Sequence, residues 1–237
     1  SCFLYGEGVS GFLFYDPQFF LKLSLIPIGF CVGTMGSLIG AGGGFILVPL
    51  LLFLNPSETP ITITSISLAV VFLNSLSGSI AYGIKGRIDY RSGLLFALAA
   101  IPGALLGAWS VTTVSRRLFD PIFGTILVFG GIALFLKAQK EIQRVNGEKL
   151  SFLQPKNLYS RTVKGLWMSF FIGFFASFLG IGGGIIHVPI LVYFLGFPIM
   201  MATATSHFVL AITSFAATAL HFYQGAFDST YDRVLYL

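Results

Sequence analysis

Charged residues are missing from long stretches of this chain, and those stretches have the length of membrane helices. No Asp, Glu, Lys or Arg occurs from Leu23 to Ser57, from Thr59 to Ile84, from Ser92 to Ser115, or from Gly165 to Phe227. A helix needs about 20 apolar residues to cross a hydrocarbon layer about 30 Å thick. Only helices and closed barrels keep their backbone hydrogen-bonded there, and the alternating ten-residue segments of a membrane barrel are absent. The pattern predicts an all-α polytopic membrane protein. Its apolar segments fall at 19–39, 44–54, 61–84, 92–113, 118–137, 165–180, 184–196 and 199–223.

Composition agrees. Only 10% of the 237 residues are charged and mean hydropathy is +0.88. Such a chain cannot cover its apolar surface with polar groups in water, which excludes a soluble enzyme, a disordered tail and a nucleic-acid-binding module. The charges that remain are clustered. Lys137 to Lys164 carries seven basic and two acidic residues, and short basic loops stay on the cytoplasmic side. The expected organisation is an N-terminal segment 1–18, a membrane unit 19–137, a basic cytoplasmic connector 138–164 and a second membrane unit 165–237, in the plasma membrane. Counting from the connector puts ten basic residues inside and four outside, with the Arg116-Arg117 pair dissenting.

The two membrane units are copies of one another. Gly40-Ala-Gly-Gly-Gly-Phe-Ile-Leu-Val-Pro49 matches Gly180-Ile-Gly-Gly-Gly-Ile-Ile-His-Val-Pro189 at an offset of 140, and Thr64-Ser65 matches Thr205-Ser206 at 141. Gly86-Arg-Ile-Asp89 is echoed by Gly225-Ala-Phe-Asp228. Three ordered blocks make a repeat. Each copy opens with a Gly-broken helix pair, and three predicted spans separate the first pair from the connector. An odd number of crossings inverts the second copy, an architecture frequent among secondary transporters with a midplane site. The second copy is expected to be incomplete by two spans.

The Gly-rich breaks are the candidate chemistry. Residues 44–54 would form a helix of only ~16 Å at about 1.5 Å per residue, so the break falls at membrane depth. Gly42-Gly43-Gly44 and Gly182-Gly183-Gly184 each start a helix and expose its unpaired N–H groups. The partial positive charge there, about half an elementary charge, favours anions. With no Lys or Arg in the charge-free stretches that hold the breaks, backbone N–H is the main donor set for a small oxyanion. The hydroxyls of Thr64, Ser65, Thr205 and Ser206 add short donors, although such groups also bond back to their own helix. His187 and His207 adjoin the two site motifs and offer substrate contact or proton coupling; His221 stands nearer the span end. The spacing of the histidines gives no metal signature, and no cofactor is expected. Four-spaced glycines such as Gly29, Gly33, Gly36 and Gly40, or Gly103 and Gly107, fit helix packing. Cys2 and Cys31 form no Cys-x-x-Cys pair, which argues against a thiol oxidoreductase.

The blocks Gly40–Pro49, Thr64-Ser65, Gly86–Asp89 and Gly180–Pro189 resemble the TauE/SafE family of sulfite exporters and related membrane transporters. The resemblance implies a secondary transporter, an exporter of small sulfur-containing anions such as sulfite or organosulfonates, acting without enzymatic chemistry. A passive anion channel, or a transporter of another small carboxylate or oxyanion, stays open beside it. The partners implied are a small anion and lipid, with a homo-oligomer compatible.

Overall fold

A computed structural model describes residues 27, 29–38, 40–56, 58–145 and 158–226. The regular structure among these residues is all helical, with no strand. The order is α1 (Gly29–Leu38), α2 (Gly44–Leu54), α3 (Pro60–Ile84), α4 (Tyr90–Ser110, extended by a 3₁₀ turn, Val111–Thr113), α5 (Arg116–Val145), α6 (Leu158–Phe178), α7 (Gly184–Leu195) and α8 (Ile199–Tyr223). Three helical stretches, Pro60–Ile84, Tyr90–Thr113 and Ile199–Tyr223, are long and apolar enough to cross a membrane. Gly29–Leu38, Gly44–Leu54 and Gly165–Phe178 are shorter apolar stretches.

The predicted segments and the helices agree closely, with one systematic difference. Helices α5 and α6 run into the polar stretch, to Val145 and back from Leu158. Hydropathy marks where a helix leaves an apolar environment and not where it stops. Lys137-Ala-Gln-Lys-Glu-Ile-Gln-Arg144 is built from good helix formers and continues the coil. The predicted residues 19–26 and the echo at Asp228 lie outside the described residues.

Helix α4 packs most extensively on α6, and α8 covers both α3 and α4. The α4–α6 contact is backbone-close. A Cβ at Gly103 would collide with the carbonyl oxygen of Phe170, one at Gly107 with that of Phe174, and one at Gly173 with that of Ala100. Small residues are what let two helices approach this way. One apolar core joins Val48, Ile63, Phe119, Phe123, Leu179 and Ile181, and another joins Phe96, Leu191 and Val209. The large apolar side chains facing outward, among them Leu73, Leu98, Phe129 and Phe215, suit a lipid surround.

Arg116 has a specific structural task that its charge alone did not suggest. Its guanidinium donates to the carbonyl oxygens of Asn55 (2.7 Å), Glu58 (2.8 Å) and Leu52 (2.8 Å). It also pairs with Asp120 at 3.4 Å. It thereby satisfies carbonyls at the open C-terminus of α2 and ties that short helix to α5. This accounts for a basic residue at a place where the topology count left it dissenting.

Candidate functional site

The two glycine breaks have the same backbone, bond for bond. Gly40, Gly42 and Gly43 hold φ of 78°, 74° and 86°, and Gly180, Gly182 and Gly183 hold 72°, 77° and 78°. All six are left-handed values that only glycine adopts without strain. In the first break the N–H groups of Ala41 and Gly42 cap α1 by donating to Gly36 O, at 2.8 and 3.2 Å. In the second, Ile181 and Gly182 do the same to Ala176 O, at 2.9 and 3.3 Å. Helix α2 then begins with Ile46 and Leu47 bonding to Gly43 O, and α7 with Ile186 and His187 bonding to Gly183 O. That leaves the N–H groups of Gly43, Gly44 and Phe45, and of Gly183, Gly184 and Ile185, with no partner among the described residues.

The breaks also touch each other. A Cβ at Gly44 would lie 2.8 Å from Gly180 O and 2.9 Å from the Ile181 Cα, while one at Gly184 would collide with Gly40 O and lie 2.7 Å from the Ala41 Cα. Two N-terminal helix ends thus meet at one crossing. Gly40–Gly44 and Gly180–Gly184 are all buried. Val71 of α3 stands against Gly42, Gly44 and Gly182, and Leu210 of α8 against Gly42 and Gly184. These two side chains close over the crossing in this conformation.

The hydroxyls divide unequally. Ser206 donates to Gly40 O at 3.3 Å, so α8 reaches the first break. The residue of α3 that reaches the second break is Ser67, which donates to Gly180 O at 2.7 Å. Sequence comparison missed it because its counterpart at offset 141 is Phe208; the hint was the hydroxyl-rich run Thr62, Thr64, Ser65, Ser67. Thr64 packs on Gly180, yet its hydroxyl donates to Pro60 O and Ile61 O, and Ser65 donates to Thr62 O. Both are engaged with their own helix. Thr205 accepts the N–H of Asp89 at 3.1 Å and so fastens the α3–α4 loop. The carboxylate of Asp89 caps α4 through the N–H groups of Arg91 and Ser92 and the Ser92 hydroxyl.

The histidines are separately placed. His187 is buried in the first turn of α7 beside Gly183, with neither ring nitrogen partnered among the described residues. His207 lies at the α1–α3–α8 junction, its Nε2 3.1 Å from Ser37 O. His221 is buried near the end of α8. No group of three or more His, Cys, Asp or Glu side chains able to hold a metal occurs among the described residues.

The chain is similar to known membrane transporters. The family described as "Sulfite exporter TauE/SafE" matches residues 25–234. A probable membrane transporter protein of Bacillus subtilis, YunE, is 31% identical over 223 residues, covering 89% of this chain and 82% of its own. A probable membrane transporter protein of Methanocaldococcus jannaschii is 28% identical over 204 residues, 83% and 71% of the two chains. One from Xylella fastidiosa is 28% identical over 188 residues, 79% and 67%. No solved structure matches.

Proposed function

This chain belongs to the TauE/SafE family of membrane transporters, and from that premise we propose that it exports small sulfur-containing anions, sulfite or an organosulfonate, across the plasma membrane. The observation that carries the reading is the meeting of two glycine breaks with matching backbone geometry. Each begins a helix whose first N–H groups lack partners among the described residues. Converging helix N-termini offer several N–H donors and a favourable potential without a fixed cation. An oxyanion with three acceptor oxygens suits such a donor set. A fixed Lys or Arg would hold the anion more tightly, whereas a carrier must also release it.

The two breaks belong, on this reading, to inverted repeats separated by the basic connector on the cytoplasmic side. Rocking of one repeat against the other then exposes the crossing to each face in turn. The closure of Val71 and Leu210 over the glycines supports a carrier with an occluded stage. It weighs against a permanently open channel, which would dissipate anion gradients. The N–H groups of Gly43, Gly44 and Phe45, with those of Gly183, Gly184 and Ile185, form the donor set, while Gly42 and Gly182 shape each break and donate their own N–H groups to the preceding helix. Ser67 and Ser206 fix the carbonyl side of each break from the opposite copy.

Uptake of labelled sulfite, thiosulfate and a sulfonate into proteoliposomes tests the proposal. Saturable uptake with counterflow is expected for at least one of the three. Non-saturating flux would replace the carrier with a channel, and no flux from folded protein would remove the substrate assignment.

A further inference from the structure

We propose that His207 is the proton-binding group that couples anion movement to a proton gradient. Its Nδ1 takes the proton, and Gly78, having no side chain, lets the ring pack where it does. The proposal rests on the transporter reading above and adds to it the identity of the coupling group.

Hydrogen bonding fixes the tautomer. His207 is fully buried, and its Nε2 faces the carbonyl oxygen of Ser37 at 3.1 Å. A carbonyl only accepts, so Nε2 carries the hydrogen and the neutral ring presents Nδ1 as a bare lone pair. That lone pair has no partner among the described residues. A Cβ at residue 78 would lie 2.9 Å from Nδ1 and 3.1 Å from Cε1. Glycine at 78 therefore lets the ring sit where it does.

The surroundings set the ring behind residues that line a cavity and link it to the first break. Asn74, Gly78 and Tyr82 are four apart and share one face of α3. Asn74 and Tyr82, with Ser37 and Thr34, line an open-sided cavity of about 420 Å³. The Ser37 hydroxyl donates to Asn74 Oδ1 at 3.0 Å, which leaves Asn74 Nδ2 buried and unpartnered among the described residues. On the other side, Ser37 O also accepts the N–H of Gly40 at 3.3 Å. The ring thus bonds to the same carbonyl that holds the first residue of the glycine break. Protonation at Nδ1 makes the Nε2–H bond charge-assisted and shorter, which pulls on that carbonyl. His187 also stands beside a break, at Gly183, whereas neither ring nitrogen of His221 has a partner among the described residues.

The titratable neighbours are few. On α3, the Tyr82 ring centroid is 5.7 Å from that of His207. On the α3–α4 loop, Asp89 has its carboxylate engaged at the start of α4. Helix α1 brings no charged side chain among its described residues, and Cys31 is exposed.

Two measurements test the proposal on the full chain. The first is labelled sulfite uptake into proteoliposomes with and without a pH gradient, for wild type, H207Q and G78A. The gradient is expected to change the wild-type rate, to have no effect in H207Q (a rate ratio of about 1), and to have a reduced effect in G78A. A wild-type rate indifferent to the gradient, or an H207Q ratio equal to wild type, overturns the proposal. The second is the ¹⁵N spectrum of the imidazoles in wild-type protein, which needs neither transport nor a foldable His207 variant. The expected result is an Nε2–H tautomer whose Nδ1 gains a proton as the pH is lowered, displaced in G78A. An Nδ1–H tautomer, or a ring that never gains a proton, overturns the proposal. Absence of all anion uptake with the expected spectrum would sink the transporter reading and leave the proton site standing.

Discussion

The first and second glycine breaks share a backbone and differ in what surrounds it. Positive-φ glycines, caps and helix starts coincide at offset 140, down to hydrogen bonds that agree within 0.1 Å for each matched pair. Around them the side chains diverge. Leu47 of the first copy answers to His187 of the second, Thr34 to Phe174, and Asn74 to Phe215. The face of α6 that includes Phe170, Gly173 and Phe174 is covered by α4, whereas the matching Phe30, Gly33 and Thr34 of α1 line the open-sided cavity. The symmetric part is what an anion held by backbone N–H would need. The asymmetric part is where side-chain chemistry can act on one repeat alone. On the function proposed above, duplication would keep the donors and divergence would add the control.

The sharpest way to break this comparison is to spoil one break at a time. Leucine at Gly43 or Gly183 must adopt a positive φ, at ~1–2 kcal/mol. It must also fit where a Cβ already lies 3.1 Å from Val32 O or 2.8 Å from the Ala176 Cβ, adding ~1–3 kcal/mol of overpacking. With every 1.4 kcal/mol worth tenfold, each variant should lower anion uptake by about two orders of magnitude. Equal losses would support one shared site. Loss in G43L with full activity in G183L would mean that the second break is only a structural echo.

A smaller effect is expected where glycine serves packing alone. Gly103→Leu places a side chain against the Phe170 carbonyl in the α4–α6 contact, so ~1–3 kcal/mol of stability should be lost. Gly29→Ala has no described atom within 4 Å to meet and should change stability by less than ~0.5 kcal/mol. Thermal unfolding in detergent would rank the two. Were G29A to unfold as early as G103L, Gly29 would have to be a packed position in the folded protein.

Why some of this was legible in the sequence, and some not, follows from what kind of interaction is involved. The helices announced themselves through charge-free runs, and the breaks through glycines repeated at one offset, because local backbone conformation dictates both. The unequal hydroxyls did not, because Ser67 and Thr64 differ only in which way each side chain turns on α3. Arg116 was equally opaque: its partners, Leu52, Asn55 and Glu58, are distant in sequence and are backbone carbonyls, which leave no side-chain pattern. Likewise, nothing near His207 in the chain foretold Ser37 O or Gly78.

The finest test of the comparison separates hydroxyls that reach across copies from those that do not. Ser67→Ala removes a 2.7 Å bond to Gly180 O and leaves a buried carbonyl short of a donor, at ~0.5–1.5 kcal/mol. Ser206→Ala removes a longer bond of 3.3 Å to Gly40 O and should cost less. Thr64→Val removes a hydroxyl bonded to its own helix, a contact with little net worth, and should be nearly neutral. Uptake rates should therefore fall in the order S67A, S206A, T64V, by factors between about ten and one. The ordering matters more than the magnitudes. Were T64V to impair transport as strongly as S67A, its hydroxyl would have to leave Pro60 O and Ile61 O during the cycle and turn toward the anion. The matched pair Thr64 and Thr205 would then regain the substrate role that their recurrence first suggested.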